Sequence, residues 1–216
     1  MKYIEISQVY EDGMLKYPST GDFKLSWDRD YPLGFDMSMS HFETPTHLGT
    51  HLDSPYHMVD GGMRMEDIPM DYYIGKCQVM SVKGKDFICA KDIEEIGIEA
   101  PRLIFKTDNY ARITNGNFEN VYFTPDAGEY MASKGVKLVG LDYFGVDKKG
   151  DKTRQAHKSI LGNKMSILEG IFPQDVEDGI YFLVCLPLRI KSIEGCPCRA
   201  LLFEYDEIKK VIDNKE

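Results

Sequence analysis

The sequence predicts a single mixed domain, α/β (α+β) in class, covering residues 1–216. Three observations carry that expectation. A length of 216 residues favours one domain with a sizeable core. Strand signals outnumber helix signals, and the helices fall between some of the strands. No repeat, low-complexity stretch or like-charge block divides the chain.

In chain order, the strand signals cover residues 3–9, 35–42, 76–82, 103–107, 136–142, 180–186 and 199–205. The second of these alternates Phe35, Met37, Met39 and His41 against Asp36, Ser38 and Ser40, the period of a strand with one buried face. Thr124 followed by Pro125 is a helix start, and Gly135 closes a pattern over residues 126–134. Thr153 is the expected N-cap of a second helix that carries His157 and fades near Gly162; a shorter helix is expected over residues 91–95. The opening Met1-Lys2-Tyr3-Ile4-Glu5-Ile6 reads as the start of a strand rather than a signal peptide, and the run 181–188 is far shorter than the ~20 apolar residues a bilayer span needs. A cytoplasmic protein with no membrane partner is expected.

Lys and Arg total 26 against 35 Asp and Glu, a formal charge of -9, which disfavours nucleic acid as a partner. Five cysteines, Cys77, Cys89, Cys185, Cys196 and Cys198, are odd in number and irregular in spacing, unlike a disulfide framework. Cys196-Pro197-Cys198 lacks the second pair of a structural zinc site, so packed thiols are expected. Neither a G-x-S-x-G elbow nor a phosphate-binding glycine loop occurs.

The histidines are the outlier in composition. Four of the five fall within the 17 residues 41–57, less than a tenth of the chain. A helix over this segment is opposed by Gly49 and Pro55, and would turn Asp53 away from His51. In extended chain, His47, His51, Asp53 and His57 share parity and point to one side. Imidazole nitrogen and carboxylate oxygen are the donors that hold zinc or manganese while leaving positions open. His41 is either a packing residue of its strand or a substrate contact. His157 is either a polar helix residue or a further donor. Glu169 is an acid within the apolar run Met165-Ser-Ile-Leu-Glu-Gly-Ile171, where acids are paired or metal-bound. A non-enzymatic metal-binding protein remains the alternative of another class.

The segment His47-Leu-Gly-Thr-His51-Leu-Asp53-Ser-Pro55-Tyr-His57 resembles the H-x-G-T-H-x-D-x-P-x-H signature of the cyclase-like metal-dependent hydrolases, which include kynurenine formamidases and isatin hydrolases. The likeness extends through Ile4-Glu-Ile6-Ser7, Gly75-Lys-Cys77, the stretch 135–142, and His157 through Glu169 to Leu188. It implies a swivelling β/β/α fold and a homo-oligomer, dimer or tetramer, with pockets bordering the subunit interface. It also implies two divalent ions per subunit, Zn2+ ahead of Mn2+. His47, His51 and Asp53 would hold one ion; Asp53 would bridge to a second held by His157 and Glu169. His57 would be the catalytic acid/base. The implied activity is hydrolysis of a carbon-nitrogen bond in a small amide by metal-activated hydroxide. The expected activity is that of an arylformamidase converting N-formylkynurenine to kynurenine and formate, in tryptophan catabolism; hydrolysis of a cyclic amide such as isatin is the alternative. Kynurenine formamidases place a Trp beside a Pro where this chain has Tyr17-Pro18, and Tyr143-Phe144-Gly145-Val146-Asp147 replaces a Pro/Ser-containing stretch. Tyr17, Tyr143 and Phe144, with His41, are therefore the candidate substrate contacts.

Overall fold

The structure, a computed structural model, describes residues 2–213. The strands are β1 (Tyr3–Glu5), β2 (Lys24–Arg29), β3 (Met39–Glu43), β4 (His51–Asp53), β5 (Ile74–Ser81), β6 (Phe87–Ile88), β7 (Arg102–Lys106) and β8 (Tyr122–Phe123). They continue with β9 (Leu138–Leu141), β10 (Ser166–Glu169), β11 (Gly179–Val184), β12 (Gly195–Pro197) and β13 (Leu201–Glu204). The helices are α1 (Ala90–Ile96), α2 (Asn109–Thr114), α3 (Pro125–Ser133), α4 (Gln155–Gly162) and α5 (Tyr205–Asp213).

Nine strands form one sheet in the order β1-β13-β11-β5-β7-β9-β10-β4-β12. Its centre, β5-β7-β9-β10, is parallel, and the strands flanking it on both sides run antiparallel. Parallel neighbours need crossovers, which α1 to α4 supply. Strand β7 is buried along its whole length, as a central parallel strand must be. Its side chains divide between two cores: Leu103 and Phe105 pack with Ile93, Ala127, Met131 and Ile160 from the helices, whereas Ile104 packs with Leu52, Leu183 and Leu202 on the opposite face. All five cysteines are free, and Cys77, Cys185 and Cys196 are buried in the second core. Among the described residues no helix is long and apolar enough to cross a membrane.

Several expectations are corrected. The alternating stretch 35–42 does not mark a buried face: only Met39–Glu43 is strand, it pairs with β2, and every residue of both strands is exposed. Tyr205 begins α5 instead of ending a strand, and α2 and α5 carry no cue strong enough to have been foreseen. Thr153 does not cap α4. Its amide and hydroxyl both donate to Asp151 Oδ1, and Arg154 takes the cap position in a left-handed conformation, φ 56° and ψ 44°.

Candidate metal centre

Local structure brings the histidine segment together by three different means. Common parity holds only for His51 and Asp53, which project from the same face of β4 while Leu52 enters the core on the other. His47 arrives from a turn that includes Gly49 at φ 59°, and His57 from the 3-10 turn Pro55–His57, so the expectation of one extended segment is corrected. Two glycines make the close packing possible. A Cβ on Gly170 would lie 2.0 Å from the Gly49 carbonyl oxygen, and one on Gly195, the cross-strand partner of Asp53, would lie 2.6 Å from His47 Cε1.

Glu169 joins through register, since it pairs with His51 across β10 and β4. His157 comes from the buried face of α4. Asp53 is the hub, with no exposed surface. Its Oδ1 lies 2.8 Å from His47 Nδ1 and 3.5 Å from His51 Nε2, and its Oδ2 lies 3.6 Å from His157 Nε2. Glu169 Oε2 is 3.3 Å from His51 Nε2, and Oε1 is 3.3 Å from His157 Nε2. Despite these separations, both Asp53 oxygens and His51 Nε2 are buried without a hydrogen-bond partner. Unpaired buried polar atoms are costly, and donors that converge without bonding one another are what a cation between them would satisfy.

The outer nitrogens of three rings are already engaged. His47 Nε2 meets Glu194 Oε1 at 3.2 Å, His51 Nδ1 meets the Gly49 carbonyl at 2.9 Å, and His157 Nδ1 meets Asp147 Oδ2 at 2.5 Å. An acceptor behind each imidazole holds its proton outward and turns the other nitrogen's lone pair inward, the arrangement common behind metal-binding histidines. His57 has no such acceptor among the described residues. Its ring stacks 4.1 Å from that of His47, lies 5.7 Å from that of His157, and faces the cavity.

Charge follows the same division. Burial opposes protonation of His47, but the Asp53 charge prevails and raises its pKa to about 9. His51 and His157 are likewise raised against burial, by Glu169 and Asp53 for the first and by Asp147, Asp53 and Glu169 for the second. Burial and the Asp53 charge push Glu169 upward, yet the His157 and His51 imidazoles hold it at about 2; the same imidazoles and His47 keep Asp53 well below the usual carboxylate range. His57 goes the other way: burial, with His47 and His157 beside it, outweighs Asp53 and lowers its pKa.

A cavity of about 280 Å3 opens from His47, His57, His157 and Glu169 and is lined also by Tyr17, Tyr143 and Phe144. Tyr143 is nearly buried, and its hydroxyl donates to the Phe118 carbonyl. His41 is not brought to this site within the chain. It lies on the exposed ribbon, bonded to Ser26 and Asp28. Asp147 and Glu194 were not anticipated: each is an isolated acid without a motif, and Glu194 is 147 positions from the histidine it orients.

A buried His/Asp/Glu group at the floor of a small cavity, on a mixed α/β fold, is a candidate metal-binding site of the kind a hydrolase can use. The chain belongs to the family described as Putative cyclase, whose profile matches residues 4–148. A kynurenine formamidase of Erythrobacter litoralis (strain HTCC2594) is 32% identical over 206 residues, covering 94% of this chain and 94% of its own. The solved structure of a predicted metal-dependent hydrolase from Bacillus stearothermophilus aligns with a TM-score of 0.79 at 29% identity, covering 93% of this chain and 97% of that one. Isatin hydrolase A from Labrenzia aggregata gives a TM-score of 0.79 with 94% of each chain covered, but at 18% identity it shares the fold alone.

Proposed function

We propose that this chain is a metal-dependent amidohydrolase that cleaves the C–N bond of small aryl formamides, with N-formylkynurenine the leading substrate. Two divalent ions, Zn2+ before Mn2+, would be held by His47, His51 and Asp53 and by Asp53, His157 and Glu169. What supports this reading most is the pair of buried, unpartnered Asp53 oxygens, one beside His47 and His51 and the other beside His157. Bound there, the ions would supply Lewis acidity, acidifying water and polarising a carbonyl oxygen.

His57 is the proton carrier. Its ring is free of an outer acceptor and faces the cavity, and its lowered pKa keeps it neutral at pH 7, able to accept a proton. In the overall reaction water oxygen bonds to the formyl carbon and the C–N bond breaks. His57 takes the proton that water loses and passes it to the leaving nitrogen, and the formic acid released ionises to formate. Tyr17 and Phe144 form cavity wall for an aryl group.

A second copy of the chain is the proposed partner, giving a dimer or tetramer. The β2-β3 ribbon supports this: it exposes Leu25, Trp27, Met39 and Phe42, and a two-stranded ribbon without a core is marginal by itself. Molar mass by light scattering reads it directly.

The activity is tested by assaying N-formylkynurenine and isatin side by side, before and after chelation, with wild type and His57→Ala. Chelation should abolish formamide turnover. His57→Ala should lose roughly 10²- to 10⁴-fold in kcat while keeping its metal. Loss of metal with activity intact would sink the assignment of His57, preferential ring opening of isatin would favour the cyclic amide, and no turnover of any amide would favour a metal-binding protein without catalysis.

A further inference from the structure

The cavity beyond the donor cluster carries charge that hydrolysis itself does not use. Two acids line it, Asp147 and Glu169, and both are committed. Asp147 Oδ1 accepts from the amides of Ala156 and His157 at 2.8 and 3.3 Å, and its Oδ2 meets the His157 ring. Glu169 meets His51 and His157 and accepts from the Val146 amide. Three cations line the same cavity, Lys148, Lys149 and Arg154. Lys149 is neutralised by Glu119 at 3.0 Å. Among the described residues, Lys148 Nζ has no acidic side chain within 4.0 Å; it lies 6.0 Å from the Tyr122 ring.

Arg154 is the unusual member. Its guanidinium makes no hydrogen bond among the described residues, and its nearest acid, Asp147, lies 3.9 Å away with both oxygens already engaged. Its backbone is left-handed at φ 56°, which costs energy for any residue but glycine and concentrates at functional positions. A cationic surplus here runs against a chain whose net charge is -9.

We infer that the substrate carries a carboxylate at the end remote from the scissile amide, and that Arg154, assisted by Lys148, is the specificity residue that binds it. The inference rests on the amidohydrolase reading and sharpens its substrate class. A planar guanidinium takes a carboxylate through two parallel hydrogen bonds, which a neutral amide cannot offer. No uncommitted acid lines the cavity to receive an ammonium, so the carboxylate is the charge of N-formylkynurenine that the cavity takes up; an aryl formamide with a lone carboxylate isolates that contact, and an uncharged formanilide lacks it.

The test compares kcat/KM of the metal-loaded enzyme for 4-formamidobenzoate, N-formylkynurenine and formanilide. Both carboxylate-bearing substrates should exceed the neutral formanilide by at least about tenfold. That ratio should collapse in Arg154→Gly, which accepts the left-handed backbone without strain, and survive in part in Arg154→Lys. Metal content measured on each variant guards against loss of the scaffold. A flat substrate series, or an undiminished ratio in Arg154→Gly, overturns the inference. If no formamide is cleaved, the amidohydrolase reading fails separately. Calorimetric titration of 4-aminobenzoate and aniline into wild type and Arg154→Gly then decides: carboxylate binding that requires Arg154 sustains the inference, and equal or absent binding overturns it.

Discussion

Strand β4 and the β2-β3 ribbon are neighbours in sequence, short, antiparallel and histidine-bearing, yet they give imidazole opposite surroundings. The His51 side chain is 2% exposed, with Asp53 and Glu169 on one nitrogen and a backbone carbonyl on the other. The His41 side chain is 65% exposed and meets Ser26 and Asp28 at the surface. Water competes for every partner of His41, whereas the neighbours of His51 are fixed and poorly solvated, so their charges are screened less. What an imidazole can do here follows from burial and from the acceptor behind it, and ten positions of sequence separate the two outcomes.

The largest expected effect tests the buried side of that contrast. Asp53→Asn removes the charge that three imidazoles face, and metal content after gel filtration should fall from occupied to nearly nothing, with formamide turnover lost alongside. Full retention of metal would reduce the cluster to a buried polar network. Protons report the same competition. In the metal-free protein His47 holds a proton up to about pH 9, so the stability it contributes is complete below its ordinary 6.5 and is lost as pH rises through about 9. Metal needs the neutral ring, so the sign reverses: affinity should rise with pH over this range, about tenfold per unit for each proton expelled, and loading at pH 7 should release protons that a calorimetric buffer series counts.

The histidine-rich part of the candidate site was legible in sequence because it is local. His47, His51, Asp53 and His57 span 11 residues, and their residue types alone specify a class of chemistry. Central strands such as β7 and β9 were legible because continuous burial writes an apolar run. Alternation misled over residues 35–42, because Phe35, Met37 and Met39 read as a core face but remain exposed within one chain. Common parity misled over residues 47–57, where a glycine turn and a 3-10 turn, not one strand, aim two of the rings. Asp147 and Glu194 were illegible for another reason: an acceptor behind a histidine needs only to arrive in space, and tertiary packing brings it without a local pattern.

Those two acids provide the intermediate test. Replacing the acceptor behind a metal-binding histidine weakens metal binding roughly 10- to 100-fold. Asp147→Asn should stand at the upper end, because its carboxylate is buried, serves His157 and also caps α4. Its loss should cost about 1 kcal/mol of stability through the cap as well. Glu194→Gln should stand at the lower end, since the Glu194 side chain is 36% exposed and water can take its place behind His47. Chelator competition on the two variants ranks them. Equal losses would show that burial of the outer acceptor does not matter, and the contrast between the buried and exposed histidines would weaken accordingly.

The smallest effect belongs to the ribbon. His41→Ala removes two surface hydrogen bonds and no buried contact, so unfolding free energy should change by no more than about 0.5 kcal/mol, and metal content should stay as in the wild type. Metal analysis and kcat/KM together make the result informative in either direction. A drop in metal would mean that a residue outside the donor cluster governs it, contrary to the division drawn from burial. A drop in kcat/KM with metal intact would instead carry His41 to the cavity of a second copy. The exposed apolar ribbon would then be the arm that delivers it, and mixing His41→Ala with His57→Ala subunits should restore activity, since each defect would lie in a different half of a shared site.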